Sequence, residues 1–158
     1  MTTRDDMLSR LRTRNRETAL QREFYCSPED YELDLKMIWY RDWLFVGHDC
    51  EVPNAGNFLT VQIGEYPVLV ARDREGGLHA FHNTCRHRGS RICSTERGTV
   101  ARFVCPYHQW TYALDGRLIA ARDMGGGFDK AEHGLKPVHC ASVGGYIFIC
   151  LAAVAPDF

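Results

Sequence analysis

Two short segments carry the residues best suited to chemistry: Cys85-Arg86-His87 and Cys105-Pro106-Tyr107-His108, each pairing one thiol with one imidazole. Seventeen residues separate His87 from Cys105. Each pair falls where a strand-prone run gives way to a loop, so two hairpin tips would each offer one sulfur and one nitrogen. Two cysteine sulfurs on one iron and two histidine nitrogens on the other are the ligands of a mixed-ligand [2Fe–2S] cluster. The short spacings let each loop straddle both irons. The same four residues also suit a closed tetrahedral zinc ion. Zinc modules, however, usually leave roughly two to four residues within a pair, and here Arg86 alone separates Cys85 from His87.

The other five of the seven cysteines, Cys26, Cys50, Cys93, Cys140 and Cys150, are not paired with a histidine in this way and read mostly as small core residues. An odd cysteine number without a secretion signal argues for reduced thiols. A mononuclear oxygen-activating iron needs two histidines and a carboxylate. Of His48, His79, His82, His133 and His139, only His133 and His139 with Glu132 approach that pattern. Between Cys85 and Arg122, seven arginines (Arg86, Arg88, Arg91, Arg97, Arg102, Arg117 and Arg122) face only Glu96 and Asp115. This local basic face is expected to dock an acidic redox partner, with Arg86, Arg88 and Trp110 as candidate docking residues. Loop packing and carbonyl capping are the plainer role for any one arginine, and a core or shielding position is the plainer role for Trp110.

The elements that must position these residues are mostly strands. With 158 residues, 45% hydrophobic and 25% charged, the chain suits one ordinary core and is too short for two large domains. Residues 3–23 are polar and helix-prone, with Met7, Leu8 and Leu11 as a thin apolar stripe needing another surface. Ser27-Pro28-Glu29-Asp30 reads as an N-cap, a first-turn proline and early acids opening a helix through about Tyr40. From Trp43 the texture is β. Strands are expected at Trp43–Gly47, Phe58–Ile63, Val68–Arg72, Leu78–Phe81, Thr99–Val104, Thr111–Ala113, Arg117–Ile119 and Gly145–Leu151, with Asp115-Gly116 as a hairpin signal. Asn83–Gly98 and the loop around Gly125-Gly126-Gly127 running into Pro137 resist the strand pattern. The organisation expected is a helical N-terminal segment, 1–42, and a β domain, 43–155, with cluster-binding loops about 83–120. The net charge of -1 gives no global pull toward nucleic acid or an acidic membrane surface. No stretch has the length of a bilayer span or the shape of a secretion signal, so a cytoplasmic location is expected.

On Trp43 through Gly47, on Ala80-Phe81-His82-Asn83-Thr84-Cys85-Arg86-His87-Arg88-Gly89, and on Cys105-Pro106-Tyr107-His108-Gln109-Trp110-Thr111-Tyr112 with Asp115-Gly116, the chain resembles a known family. This is the N-terminal Rieske domain of the large (alpha) subunit of Rieske non-heme iron oxygenases, the ring-hydroxylating dioxygenases and related monooxygenases. The resemblance runs over roughly Phe24 to Phe158. It implies a mainly β Rieske fold of antiparallel sheets with a small cluster-binding subdomain behind an α-helical N-terminal segment. It also implies one Rieske [2Fe–2S] cluster on Cys85, His87, Cys105 and His108. A flavin- or ferredoxin-type reductase would supply electrons, and His108 would be the exit toward a carboxylate of a neighbouring subunit in a homo-oligomer, often a trimer. Mononuclear Fe(II) would sit in a catalytic domain starting where this chain stops, near Pro156-Asp157-Phe158. The chain therefore reads as an excised or truncated domain that transfers electrons and hydroxylates nothing alone. A stand-alone Rieske ferredoxin is the alternative, although such carriers are usually shorter and lack the helical extension.

Gln109 stands where many members carry glycine. The pairing of Cys-Arg-His-Arg-Gly-Ser-Arg with Cys-Pro-Tyr-His-Gln-Trp is similar to the branch acting on glycine betaine, carnitine and proline betaine. High-potential respiratory relatives, by the same resemblance, add a disulfide between the loops and a serine after the second histidine. Here Ser90, Tyr107 and Trp110 hold those places, and few donors to the sulfurs are evident. A low-potential centre without a disulfide is expected.

Overall fold

The computed structural model describes residues 3–125 and 127–158; Gly126, within the glycine loop, lies outside the described residues, as do Met1 and Thr2. Thr3 caps α1 (Arg4–Thr13) in a reciprocal box with Asp6. The helix is shorter than the helix-prone stretch, ending at Thr13, and α2 (Glu23–Cys26) is a single turn. No residue of α1 is fully buried; Met7, Leu8 and Leu11 are half-buried, and a polar anchor adds to that apolar stripe. Arg10 reaches 2.6 Å to the buried Asp30 and lies 4.7 Å over the Phe24 ring. Ser27 caps α3 (Pro28–Asp34) by accepting the Asp30 N–H, as its sequence signature demands. The helix continues as one π turn, Leu35–Trp39, closed by the Tyr40 N–H on the Leu35 carbonyl. Among the described residues no helix is long and apolar enough to cross a membrane.

Ten strands follow among the described residues: β1 (Leu44–His48), β2 (Asn57–Ile63), β3 (Tyr66–Arg72), β4 (Leu78–His82), β5 (Arg97–Thr99), β6 (Phe103–Val104), β7 (Thr111–Tyr112), β8 (Leu118–Ala120), β9 (Pro137–Val143) and β10 (Tyr146–Cys150). Seven form one antiparallel sheet in the order β1-β10-β9-β4-β3-β2-β5, and β6-β7-β8 form a second. The single strand expected at Thr99–Val104 is thus two, β5 in the large sheet and β6 in the small one. β9 was not among the expected strands. It opens on Pro137 and carries His139 and Ser142, so its composition hides it, while pairing with β10 and β4 holds it in place.

β3 explains how the layers are organised. Its alternate residues bury in opposite directions, Val68 and Val70 with Val52, Ile147 and Ile149 on one face, and Leu69 and Ala71 on the other. The second face packs against the small sheet through Phe58, Phe81, Phe103, Trp110, Tyr112 and Leu118. Cys85 and Cys105 belong to this second core. The two candidate ligand loops therefore leave the main core directly, between the sheets.

Candidate metal centre

The loops after β4 and β6 are built alike. The Cys85 N–H donates to the Ser90 carbonyl at 2.8 Å, and the Cys85 carbonyl accepts the Gly89 N–H at 3.0 Å. In the second loop the Cys105 N–H donates to the Trp110 carbonyl at 2.8 Å, and the Cys105 carbonyl accepts the Gln109 N–H at 3.0 Å. Both turns close through a left-handed residue at the same place, Gly89 at φ 71° and Gln109 at φ 59°. Glycine takes that conformation freely, whereas glutamine does so at a cost.

Asn83, fully buried, fixes the first loop from beneath. Its Oδ1 accepts the N–H groups of Cys93 (2.9 Å) and Ile92 (3.2 Å), and its Nδ2 donates to the Cys93 carbonyl (2.7 Å). Sequence reasoning passed over this residue. Only its place four residues before a ligand-bearing loop's first histidine and just after a strand hints at an amide bridging loop ends.

The loops set the two cysteines beside one another and the two histidines beside one another. Cys85 and Cys105 are 3% and 1% exposed, with their thiols adjacent in the floor. His87 and His108 lie above, half-buried, with ring centroids 4.6 Å apart. Among the described residues no three His, Cys, Asp or Glu side chains converge on one ion-sized point. A tetrahedral zinc needs such a point, whereas a two-iron cluster divides its ligands as sulfur pair and nitrogen pair. His133 and His139 with Glu132 are not brought together either. His133 packs on Phe128 and bonds the Asp129 carbonyl, while His139 lies on β9 near the Ala153 carbonyl.

The surroundings suit metal ligation. The buried His87 Nδ1 has no hydrogen-bond partner. Desolvation, with His108 and Arg88 nearby, holds its imidazolium pKa below the usual value, so the ring is neutral and its lone pair free. Burial pushes the Cys85 thiol up, and the neighbouring Cys105 adds to this, against the Tyr112 hydroxyl and the His87 N–H that point at its sulfur. A buried thiol of this kind ionises when a cation binds it. The Tyr112 hydroxyl lies 3.3 Å from Cys85 Sγ and accepts the Arg86 N–H at 3.0 Å. Burial, first of all, raises its own pKa, so it remains a donor. The expectation of few donors to the sulfurs is corrected here: alternation from Phe103 across to Tyr112, its strand partner, sends this side chain inward.

Trp110 is 2% exposed and stacks flat on His87, centroids 4.9 Å apart at 9°. It shields the imidazole and cannot be reached by a partner, so it leaves the set of docking residues. Tyr107, 60% exposed, tilts over the His108 ring at 3.8 Å. Two of the seven arginines are neutralised, Arg97 by Glu51 and Arg117 by Asp115, both at 2.7 Å. Arg91 bonds Gln62 Oε1 at 2.7 Å. Arg86 and Arg88 stay exposed beside the ligand pair.

A fold of two antiparallel sheets holding paired cysteines below paired histidines defines an iron–sulfur domain, and the comparison with known proteins is specific. The chain belongs to the Rieske [2Fe–2S] domain family, which it matches over residues 42–139. Such a domain carries a [2Fe–2S] cluster. The relatives are oxygenase alpha subunits. The chain is 55% identical over 147 residues to the glycine betaine monooxygenase oxygenase subunit of Pseudomonas aeruginosa, covering 92% of this chain and 34% of that protein. It is 39% identical over 141 residues to the anthranilate 1,2-dioxygenase large subunit of Acinetobacter baylyi, covering 87% and 30%. Among solved structures, naphthalene 1,2-dioxygenase from a Rhodococcus species superposes with a TM-score of 0.88 at 29% identity, over 99% of this chain and 38% of that one. A quaternary ammonium Rieske monooxygenase gives 0.79 at 29% identity, over 85% and 40%. The chain spans about a third of the length of the curated relatives it matches.

Proposed function

We propose that this chain is the electron-transfer domain of a Rieske oxygenase, with Cys85 and Cys105 on one iron and His87 and His108 on the other. The observation that carries this reading is the pairing itself, two buried thiols beneath two half-buried imidazoles, one of which has a buried nitrogen without a partner. When bound, the cluster supplies one-electron chemistry. The chain's residues do the rest. Trp110 covers the flat of His87 and excludes water, the Tyr112 hydroxyl and the His87 N–H donate to the Cys85 sulfur, and Asn83 keeps the first loop closed.

His108 is the electron exit. Its ring borders a cleft of about 390 Å³ that includes Arg88, Tyr107, Arg122 and Met124. Two arginines there, against the single acid Asp123, suit a carboxylate from a neighbouring subunit of a homo-oligomer, a trimer in our reading. A flavin- or ferredoxin-type reductase supplies the electrons in the cytoplasm. The whole oxygenase then acts on a quaternary ammonium compound such as glycine betaine, a reading supported by the higher identity to that monooxygenase subunit than to the anthranilate enzyme. Its mononuclear iron sits in a catalytic domain outside these residues.

Low-temperature EPR of the dithionite-reduced protein tests the cluster assignment. Nitrogen ligation is expected to give a rhombic signal with an average g well below that of all-cysteine clusters. A colourless, EPR-silent protein containing zinc would remove the redox reading. His108→Cys is expected to make the cluster more negative and lower its potential; an unchanged potential would mean that His108 is not a ligand.

A further inference from the structure

We propose that electrons enter by a face separate from the imidazole edge: a groove floored by Cys85 and rimmed by Arg86 and Lys136 docks an acidic one-electron carrier protein. This proposal rests on the cluster reading above and adds to it the place and charge of the donor's footprint.

The groove measures about 490 Å³ and takes in Thr84, Cys85, Arg86 and Gly89 of the first ligand loop. Its lining shares no residue with the cleft over His87 and His108. Tyr66 and His82 form an aromatic wall of it. Their rings meet at 5.6 Å, and Tyr66 is held from behind by Tyr40 at 4.9 Å, edge to face. A rigid aromatic wall of this kind is an inexpensive contact surface, because little side-chain entropy is lost when a partner covers it.

Charge decides the partner. Arg86 and Lys136 are exposed, and neither is in an ion pair among the described residues, whereas Arg72, Arg97 and Arg117 are each paired with a carboxylate. Glu65 is the one acidic residue of the groove. The rim is therefore net positive on a chain whose total charge is -1. Such a patch steers an acidic partner at low salt. Transient redox encounters need little area, under about 1,200 Å². Cys85 lines the groove and would itself hold the cluster through Sγ, so a carrier docked there would sit one residue from it.

The step is one electron leaving the reduced carrier and entering the cluster, with no bond made or broken. Two separate faces allow the carrier to dock while the imidazole edge is already engaged with its acceptor.

The test uses a photoreduced plant-type [2Fe–2S] ferredoxin as the acidic donor, whose potential of about -400 mV lies below the Rieske range. The Kd of the oxidised pair is measured by calorimetry, and the second-order reduction rate by stopped flow, from low to high salt. At low salt Lys136→Glu is expected to weaken binding and slow reduction roughly tenfold, and Glu65→Lys to strengthen both about threefold. Arg122→Glu, on the other face, is expected to change either by less than about twofold. The differences should collapse near 1 M salt, where the screening length is about 3 Å. If Arg122→Glu slows reduction as much as Lys136→Glu, or if no variant responds to salt, the groove is not the entry. EPR of each reduced variant separates the two failures. A normal Rieske signal with the wrong charge response overturns the entry face alone, and absence of that signal in the parent protein overturns the cluster reading beneath it.

Discussion

Tyr112 shows how one hydroxyl tunes a metal site. It accepts the Arg86 N–H, so its own proton is directed at Cys85 Sγ 3.3 Å away. A hydrogen bond to sulfur strengthens as the sulfur becomes more electron-rich, so it favours the reduced cluster and raises the potential. Tyr112→Phe is expected to lower the midpoint by roughly 60 mV, the one-electron equivalent of a tenfold change in equilibrium constant. An EPR-monitored redox titration reads this directly, and an unmoved midpoint would show that the hydroxyl serves only the loop. Gln109 presents the opposite situation, a residue whose backbone opposes its type. At φ 59° it bears the left-handed cost of about 1–2 kcal/mol, against about 0.5–1 kcal/mol for glycine's greater freedom in the unfolded chain. Gln109→Gly should therefore stabilise the protein by about 0.5 kcal/mol in urea denaturation while leaving the potential unchanged. A loss of stability would mean that the glutamine side chain contributes a contact of its own.

Among the elements, the hairpin of β7 and β8 meets the large sheet at its tip. Gly116 at its tip has φ 87°, and a Cβ there would run into the Phe81 ring of β4. The adjoining loop closes on the same point, with the Leu135 N–H donating to the Gly116 carbonyl at 2.8 Å. Gly116→Ala combines left-handed strain with overpacking and should cost about 2–3 kcal/mol, seen as a lowered urea midpoint at unchanged m. A cost below 1 kcal/mol would mean that the hairpin lifts freely from Phe81. This hairpin was legible beforehand because Asp115-Gly116 is a turn signal between short β-prone runs. The ligand pairs were legible because Cys and His at those spacings have few other uses. Strands β2, β3 and β4 declared themselves by β-branched alternation. β9 did not, since Pro137, His139 and Ser142 carry no such pattern and only its neighbours make it a strand. Asn83 and Tyr112 were missed for a related reason: their value lies in which loop ends and which sulfur they reach, and that is settled by tertiary packing. Trp110 was read both as a core or shielding residue and as a docking candidate, because large aromatics serve surfaces and cores alike, and stacking on His87 decides for the core.

At the scale of the whole molecule, three carboxylates fasten the elements to one another, and all three sit below their ordinary pKa. Glu51 is lowered first by the His48 N–H, at 2.6 Å, and also by Arg97 from β5. Burial pushes Asp73 up, but His79 at 2.6 Å and the Gly77 and Glu75 N–H groups outweigh it. Burial likewise opposes the lowering of Asp115, which Arg117 dominates, with His79 adding to it. His79 thus acts on the carboxylates of both the β3–β4 turn and the β7–β8 hairpin. A depressed folded pKa means that the folded state binds protons less readily than the unfolded chain. The stabilisation is therefore complete above the unfolded carboxylate value of about 4 and is lost as the pH falls through the folded value. Asp73→Asn tests this without interference from acid loss of the cluster, because both proteins carry the same four candidate ligands and the difference between them cancels it. The variant keeps an acceptor for the turn N–H groups and loses the charge, so it should be less stable by about 2 kcal/mol at pH 7, and the gap should narrow below pH 4. Paired chemical denaturation curves across that range give the gap directly. A gap that stays constant from pH 7 to pH 3 would show that shape rather than charge at Asp73 closes the turn.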